Sequence, residues 1–262
     1  LKIIYPDNAG LVDAGPAETV PEFGVSHLTS EHLSQPWKAA VGAATNITIN
    51  LRSNGPASAI AVFGMQLDGL LIEVFSDALL TQPVGSKTFD GVEQELFGPS
   101  MIESCWFDFA VQNQAWFRLT VNTTGNKNPT IGRVSTGVAV ALTNPKWGYS
   151  QGIQDYSTVN RARNGAKLGR AKLTARNPKL TLEIPIHQPG ARQQFDGLIE
   201  LYGQVKSVTP FACLAVEGRK DSSGASLDHR YALWASFAQG SFSASEGSYS
   251  IHTLDFTLEE HL

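Results

Sequence analysis

Asn46-Ile47-Thr48-Ile49-Asn50-Leu51 and Ala59-Ile60-Ala61-Val62-Phe63-Gly64 are the stretches on which the fold turns. The first alternates polar and apolar residues, the period of a strand with one face in water and one in a core. The second is apolar without a break, the pattern of a strand covered on both faces. Leu71-Ile72-Glu73-Val74-Phe75 follows Asp68-Gly69, a tight-turn signal. Cys105 to Val111 and Ala115 to Val121 read as two further strands, separated by the polar pair Asn113-Gln114. Gly132 to Leu142 reads as another. Short strands divided by Gly, Pro, Asn and Ser predict an antiparallel sandwich rather than βαβ units.

Beyond Asn144-Pro145-Lys146-Trp147-Gly148 the pattern changes. Pro145 disfavours helix at Asn144, and a domain boundary is expected there, giving domains 1–142 and 143–262. The segment 151–179 is the most basic, with Arg161, Arg163, Lys167, Arg170, Lys172, Arg176 and Lys179. It leads into strands expected near 168–176 and 179–187. A helix is expected after Pro189, with Phe195, Leu198, Ile199, Tyr202 and Val205 on its apolar face. Strands resume at Phe211–Val216, His229–Phe237 and Tyr249–Leu258. The fold class expected is mostly β: a sandwich, then an α+β domain of about five strands and one helix.

The chain has 262 residues, room for two domains of about 100–150 residues that fold without disulfides or metal. Charged residues make up 17%, below the usual quarter, which suits a subunit covered by neighbours. A net charge of −4 gives no drive toward nucleic acid or acidic membranes. Cys105 and Cys213 lie in apolar surroundings and read as buried thiols of a reduced compartment. No leader is visible and no apolar run approaches the length of a membrane span, so neither export nor membrane insertion is expected.

Chemistry is hard to find. His27, His32, His187, His229, His252 and His261 make no metal-type pair with one another or with a cysteine, and no cofactor or metal is expected. Asp77, Asp90, Glu93, Glu95, Glu103 and Asp108 could in principle supply a carboxylate pair, but nothing in their spacing marks one, and they read as loop acids. Glu259-Glu260 reads as a charged tail, and Asp221-Ser222-Ser223-Gly224 as a turn. Nucleophile-elbow and phosphate-cradle motifs are missing. No catalytic residue is assigned, and an enzyme is not expected.

Five residues are candidates for an interface or glycan contact. Trp37 follows Pro36 in a loop. Trp147 and Tyr149 sit at the domain junction, and Arg161 and Arg163 lie in the basic segment. For each Trp the favoured reading is a plug over a sandwich end or between domains. Trp106, Trp116 and Trp234 lie inside apolar strand patterns and read as core. The basic segment could meet DNA or an anionic surface, dock on an acidic neighbour, or keep a strand edge unsticky. Without interleaved aromatics it does not resemble a nucleic-acid platform.

Residues 1–142 resemble a galactose-binding-like, discoidin-type jelly roll. The resemblance is carried by Leu33-Ser34-Gln35-Pro36-Trp37-Lys38-Ala39, Ile47–Leu51, Ala59–Gly64, Ile72–Asp77, Ala115-Trp116-Phe117-Arg118-Leu119-Thr120-Val121 and Ile131-Gly132-Arg133-Val134. The whole chain is also similar to tail-tip and minor tail proteins of tailed bacteriophages, through Ile3-Ile4-Tyr5-Pro6-Asp7-Asn8, Asn144-Pro145-Lys146-Trp147-Gly148-Tyr149-Ser150 and Val159–Arg163. That resemblance implies a virion structural protein at the tail tip, assembled in the bacterial cytoplasm as a homo-oligomeric ring with other tail proteins and touching host surface carbohydrate. The alternative is a carbohydrate-binding protein acting through the jelly roll. A hydrolase with an unrecognised carboxylate pair ranks last.

Overall fold

Alternation and apolar runs produce sheets, and the described residues are mostly strand with one α-helix of 15 residues. The computed structural model describes the chain except residues 13–18, 31–32, 34, 41–45, 91–92, 96–97, 101–103, 123–128, 147–149, 156–157, 162–166, 171–173, 186, 221–225, 227, 229–230, 247–250 and 262. At 90, 93–95, 98–100, 151, 154–155, 158–161, 167–170 and 174 it describes the backbone alone. The chain divides into two compact units, Leu1–Ala141 with Phe211–Leu233, and Leu142–Pro210 with Trp234–Leu262.

The first unit is a jelly-roll sandwich. One sheet runs in the order Ala9–Leu11, Asn46–Ser53, Trp116–Asn122, Gly69–Phe75, Pro83–Asp90, and the other in the order Ser104–Gln112, Ala57–Phe63, Arg133–Gly137. All neighbouring pairs are antiparallel. The chain crosses repeatedly from one sheet to the other, so Ile47, Ile49, Leu51, Leu70, Ile72, Val74, Phe117, Leu119 and Val121 of the five-stranded sheet share a core with Ile60, Val62, Cys105 and Val134 of the three-stranded one.

The expected strand at 59–64 is found as Ala57–Phe63, and it is covered on both faces. Ile60 and Val62 point into the sandwich, while Ala59, Ala61 and Phe63, on the other face, are also buried. Their cover comes from a third layer, in which Lys2–Ile4 pairs with Ala139–Ala141 on one side and Phe211–Leu214 on the other. Ser104 donates its hydroxyl to the Ala232 carbonyl (3.0 Å), and Ala139 N–H donates to Ser58 Oγ (2.9 Å). Lys2 ties this layer to the sheet through Asp108 (2.7 Å) and holds Glu217 as well (2.6 Å). Gly132 to Leu142 is therefore not one strand but two short ones, Arg133–Gly137 and Ala139–Ala141, with Thr130–Ile131 just before them. At Gly132 the backbone donates to the Phe63 and Gly64 carbonyls, and a Cβ there would sit 3.1 Å from the Phe63 oxygen.

A buried ion pair locks the N-terminal arm to the last sandwich strand. Arg133 Nη2 meets Asp7 Oδ2 at 2.6 Å, and Arg133 Nη1 donates to the Thr29 and Ser30 carbonyls. Asp7 Oδ1 also accepts from the Ala9 and Thr136 amides, both at 3.0 Å. Both cysteines are buried free thiols, and desolvation pushes each up to about 12.

In the second unit Ile251–Glu260 pairs with Thr174–Pro185, with Ser243–Glu246 and with Ala232–Phe237, and Ser150–Asp155 pairs with Thr174–Pro185. Thr158–Arg161 and Lys167–Arg170 form a separate hairpin. The helix starts at Ala191, two residues beyond Pro189, and ends at Val205. Phe195, Leu198 and Val205 are buried as expected, whereas Ile199 is exposed. The Phe195 ring stacks on His252 at 4.4 Å, and Tyr202 stacks on Phe242 at 4.3 Å. Glu260 is no tail residue. It ends a strand, accepts from the Arg176 backbone N–H (2.9 Å) and pairs with the Arg176 guanidinium.

Removing one partner of a buried pair strands the other charge, at a cost of about 3–5 kcal/mol. Asp7→Ala is expected to destabilise by about that amount in urea unfolding followed by tryptophan fluorescence. Lys146→Ala, which breaks a more exposed pair with Glu183, is expected to cost under about 1 kcal/mol. Similar losses from the two changes would contradict the assignment of Asp7–Arg133 as a buried lock.

Candidate functional site

Strict alternation decides what the sandwich presents to water. In Trp116–Asn122 the residues Phe117, Leu119 and Val121 are buried, which sends Trp116, Arg118, Thr120 and Asn122 to the opposite, outer face. Asn46, Thr48, Asn50 and Arg52 join them from Asn46–Ser53, and Leu71 and Glu73 from Gly69–Phe75. Register sets these side chains in rows, since residues directly opposite in an antiparallel pair share a face. Arg52, Trp116 and Phe75 form one row, Asn50, Arg118 and Glu73 the next, and Thr48, Thr120 and Leu71 the third.

The first row is aromatic and cationic. Trp116 is half-buried, and among the described residues its indole N–H has no partner. Phe75 is buried, with the Arg118 guanidinium carbon 5.2 Å from its ring centroid. That places Arg118 within cation–π range. Arg118 also lies 3.8 Å from Glu73, close enough for attraction but too far for a hydrogen bond. Arg52 is exposed beside Trp116. Opposite Arg52 stands Gly10, where an added Cβ would come within 2.6 Å of the Asn54 amide. The missing side chain leaves that amide room to lie over the end of the row.

The same end of the sandwich carries the loop between Phe75 and Pro83. Asp77 builds it by accepting from the Thr81 hydroxyl (2.7 Å), the Gln82 amide (2.7 Å) and the Thr81 amide (3.1 Å). Desolvation pushes the Asp77 carboxyl up, but these bonds, with one from the Leu79 amide, outweigh it and hold the group below its ordinary value. At the tip Leu79 is 82% exposed.

The structure redistributes the expected site residues. Trp37 is fully buried and donates its indole N–H to Thr19 Oγ1 at 3.0 Å, so it plugs the sandwich and offers no ring face to a ligand. Trp147, Tyr149 and Arg163 lie outside the described residues, as do His32, His229, Glu103 and Asp221–Gly224. Arg161 ends a strand opposite Lys167. Trp106 and Trp234 are core, as expected, but Trp116 is not. The signal was present: Phe117, Leu119 and Val121 fill the inner positions of a period-2 strand, and a Trp one place earlier must face the other way.

Of the acids considered for catalysis, Asp77 is consumed by its loop. Asp108 accepts from Trp106 Nε1 (2.9 Å) and pairs with Lys2. Among the described residues no three His, Cys, Asp or Glu side chains gather as a metal site, and no helix is long and apolar enough to cross a membrane.

No protein-family model matches the sequence, and no curated protein matches it. Several solved structures resemble about half of the chain. A CBM32 domain from a family 31 glycoside hydrolase of Clostridium perfringens matches with 14% identity and a TM-score of 0.41, over 51% of this chain and 93% of that one. The C-terminal domain of a chitobiase from Bacteroides fragilis matches with 11% identity and a TM-score of 0.36, over 54% and 99%. Reduced XRCC1, solved with the DNA polymerase β catalytic domain, matches with 9% identity and a TM-score of 0.36, over 50% and 98%.

A carboxyl whose folded pKa is depressed contributes order that is present above its unfolded value and lost as pH falls through the folded one. Protection of the Thr81 and Gln82 amides, taken relative to their intrinsic exchange rates, is therefore expected to fall as pH drops below the usual carboxylate range, before global acid unfolding. Asp77→Asn is expected to give weaker protection with no such step. A wild-type profile as flat as the variant's would rule out the Asp77 anchor.

Proposed function

We propose that the protein is a non-enzymatic carbohydrate-binding protein whose working surface is the outer face of the five-stranded sheet, centred on Trp116. The observation that carries this reading is a half-buried indole set among guanidinium, amide and hydroxyl groups at fixed register. A pyranose has an apolar C–H face and a rim of hydroxyls. It can stack on the ring while Asn50, Arg52, Arg118 and Thr120 meet its rim. The rows are built on strands rather than loops, so the groups are held in place before a ligand arrives.

Trp116→Ala is expected to weaken binding of glycans found on an array by at least about tenfold, or ~1.4 kcal/mol. The far-ultraviolet circular dichroism should be unchanged, and the wild-type tryptophan fluorescence should respond to the same glycans. An array without hits, together with unresponsive fluorescence, would remove the reading.

A second reading follows the sequence resemblance to bacteriophage tail-tip proteins: a virion subunit assembled in the host cytoplasm into a homo-oligomeric ring. Leu79, Val111, Ile153 and Val208, all large apolar side chains in solvent, would give such a subunit points to bury against neighbours. Analytical ultracentrifugation with and without tail-tube protein is expected to show a defined oligomer or complex. A particle that stays monomeric in both would count against it.

A further inference from the structure

We propose that the Trp116 surface takes an acidic oligosaccharide, one carrying uronic-acid carboxylates, in preference to a neutral one. The proposal rests on the carbohydrate-binding reading and specifies its ligand.

Two guanidiniums flank the ring. Arg52 stands directly opposite Trp116 in one strand pair, and Arg118 follows two residues along the same strand as Trp116. Arg52 is the one arginine among the described side chains for which the structure gives no hydrogen bond, ion pair or ring contact. The others are engaged: Arg133 with Asp7, Arg176 with Glu260, and Arg192 with Asp196 and Glu246. Among the described residues no acid is paired with that guanidinium, and it is exposed.

Arg118 is nearly as available. Its ion pair with Glu73 spans 3.8 Å, beyond hydrogen-bonding distance, while its proximity to Phe75 limits its freedom. The three rows contain two arginines and one carboxylate, that of Glu73. The nearby loop acid, Asp77, spends its oxygens on its own loop.

The geometry of a uronic acid fits this layout. Its carboxylate projects from the rim of the pyranose. A ring stacked on Trp116 therefore carries the carboxylate to the side, where Arg52 or Arg118 can receive it. Guanidinium and carboxylate match as a two-pronged, charge-assisted pair, which a neutral hydroxymethyl group cannot reproduce. Long-range attraction from two exposed cations would also weaken with salt.

The test uses the full chain and two acidic trisaccharides, of galacturonate and of glucuronate, each beside its carboxyl-reduced neutral form. Binding is measured by calorimetry at 50 and 300 mM NaCl. At least one acidic trisaccharide is expected to bind tenfold or more tighter than its reduced form, with the margin shrinking at high salt. Arg52→Gln is expected to narrow the margin at least fivefold, weakening the acidic form more than its reduced form. Because Arg52 is exposed and unpaired, the variant should fold, and circular dichroism verifies this. Equal binding of acidic and reduced forms overturns the proposal while leaving carbohydrate binding intact. So does a preference that Arg52→Gln leaves unchanged. If no trisaccharide of either series binds, the proposal is overturned, while the glycan array decides the reading beneath it.

Discussion

Burial of Ala57–Phe63 on both faces is the constraint from which the organisation of the first unit follows. A strand of this kind leaves its sheet no face for water, so both sides must be supplied with cover. Inside, the five-stranded sheet provides it. Outside, the layer of Lys2–Ile4, Ala139–Ala141 and Phe211–Leu214 provides it. Close approach of that layer needs small residues, and Ala59, Ala61 and Gly137 supply them. A Cβ on Gly137 would meet the Pro6 oxygen at 2.8 Å. With the three-stranded sheet enclosed, the outer face of the five-stranded sheet is the one the sandwich presents to solvent, and the candidate site lies there.

Apolar cover alone does not fix the covering arm in register, because alanine and valine surfaces slide. Polar ties do. Asp7 and Arg133 join the arm to the last sandwich strand and to the turn at Thr29 and Ser30, through both Asp7 oxygens and both terminal nitrogens of Arg133. Lys2, held between Asp108 and Glu217, repeats the device at the other end of the covering strand. Desolvation lowers the Lys2 pKa, but hydrogen bonds to both acids outweigh it and raise the group above its ordinary value. Charges are thus spent on aligning layers, which accounts for how few are left over on the sandwich.

Local pattern made most of the strands legible. Alternation at 46–51 and the unbroken run at 59–64 named their environments correctly, because side-chain period is a property of the strand itself. Features that depend on distant partners were not legible. Phe211–Leu214 joins a strand at the chain's beginning, and nothing in its own composition names Lys2–Ile4 as the partner. Glu260 reads as a tail until Arg176, 84 residues earlier, is placed beside it. Separate strands are expected near 168–176 and 179–187, yet Thr174–Pro185 is continuous. At Pro178 the strand has a neighbour on one side, Gln151, whereas pairing with Ile251–Glu260 begins only at Lys179, so the missing N–H costs no ladder bond.

Trp116 shows where the two kinds of information meet. Its orientation was written in the spacing of Phe117, Leu119 and Val121. Whether an outward residue is wet depends on cover from elsewhere, and Trp106, outward on the other sheet, is buried beneath the third layer. Composition separates the two cases. The covered face offers Ala59, Ala61 and Phe63, while the open one offers Thr48, Asn50, Arg52, Arg118 and Thr120. On that polar face the indole forfeits on the order of 1 kcal/mol of burial that a covered position would provide. A threonine or lysine there would satisfy the strand without that loss. The sandwich is stable through its other layers, so the exposed ring is not needed to hold the fold. Its place beside Arg52, and two residues from an Arg118 already shared between Glu73 and Phe75, is what the proposed sugar surface draws on.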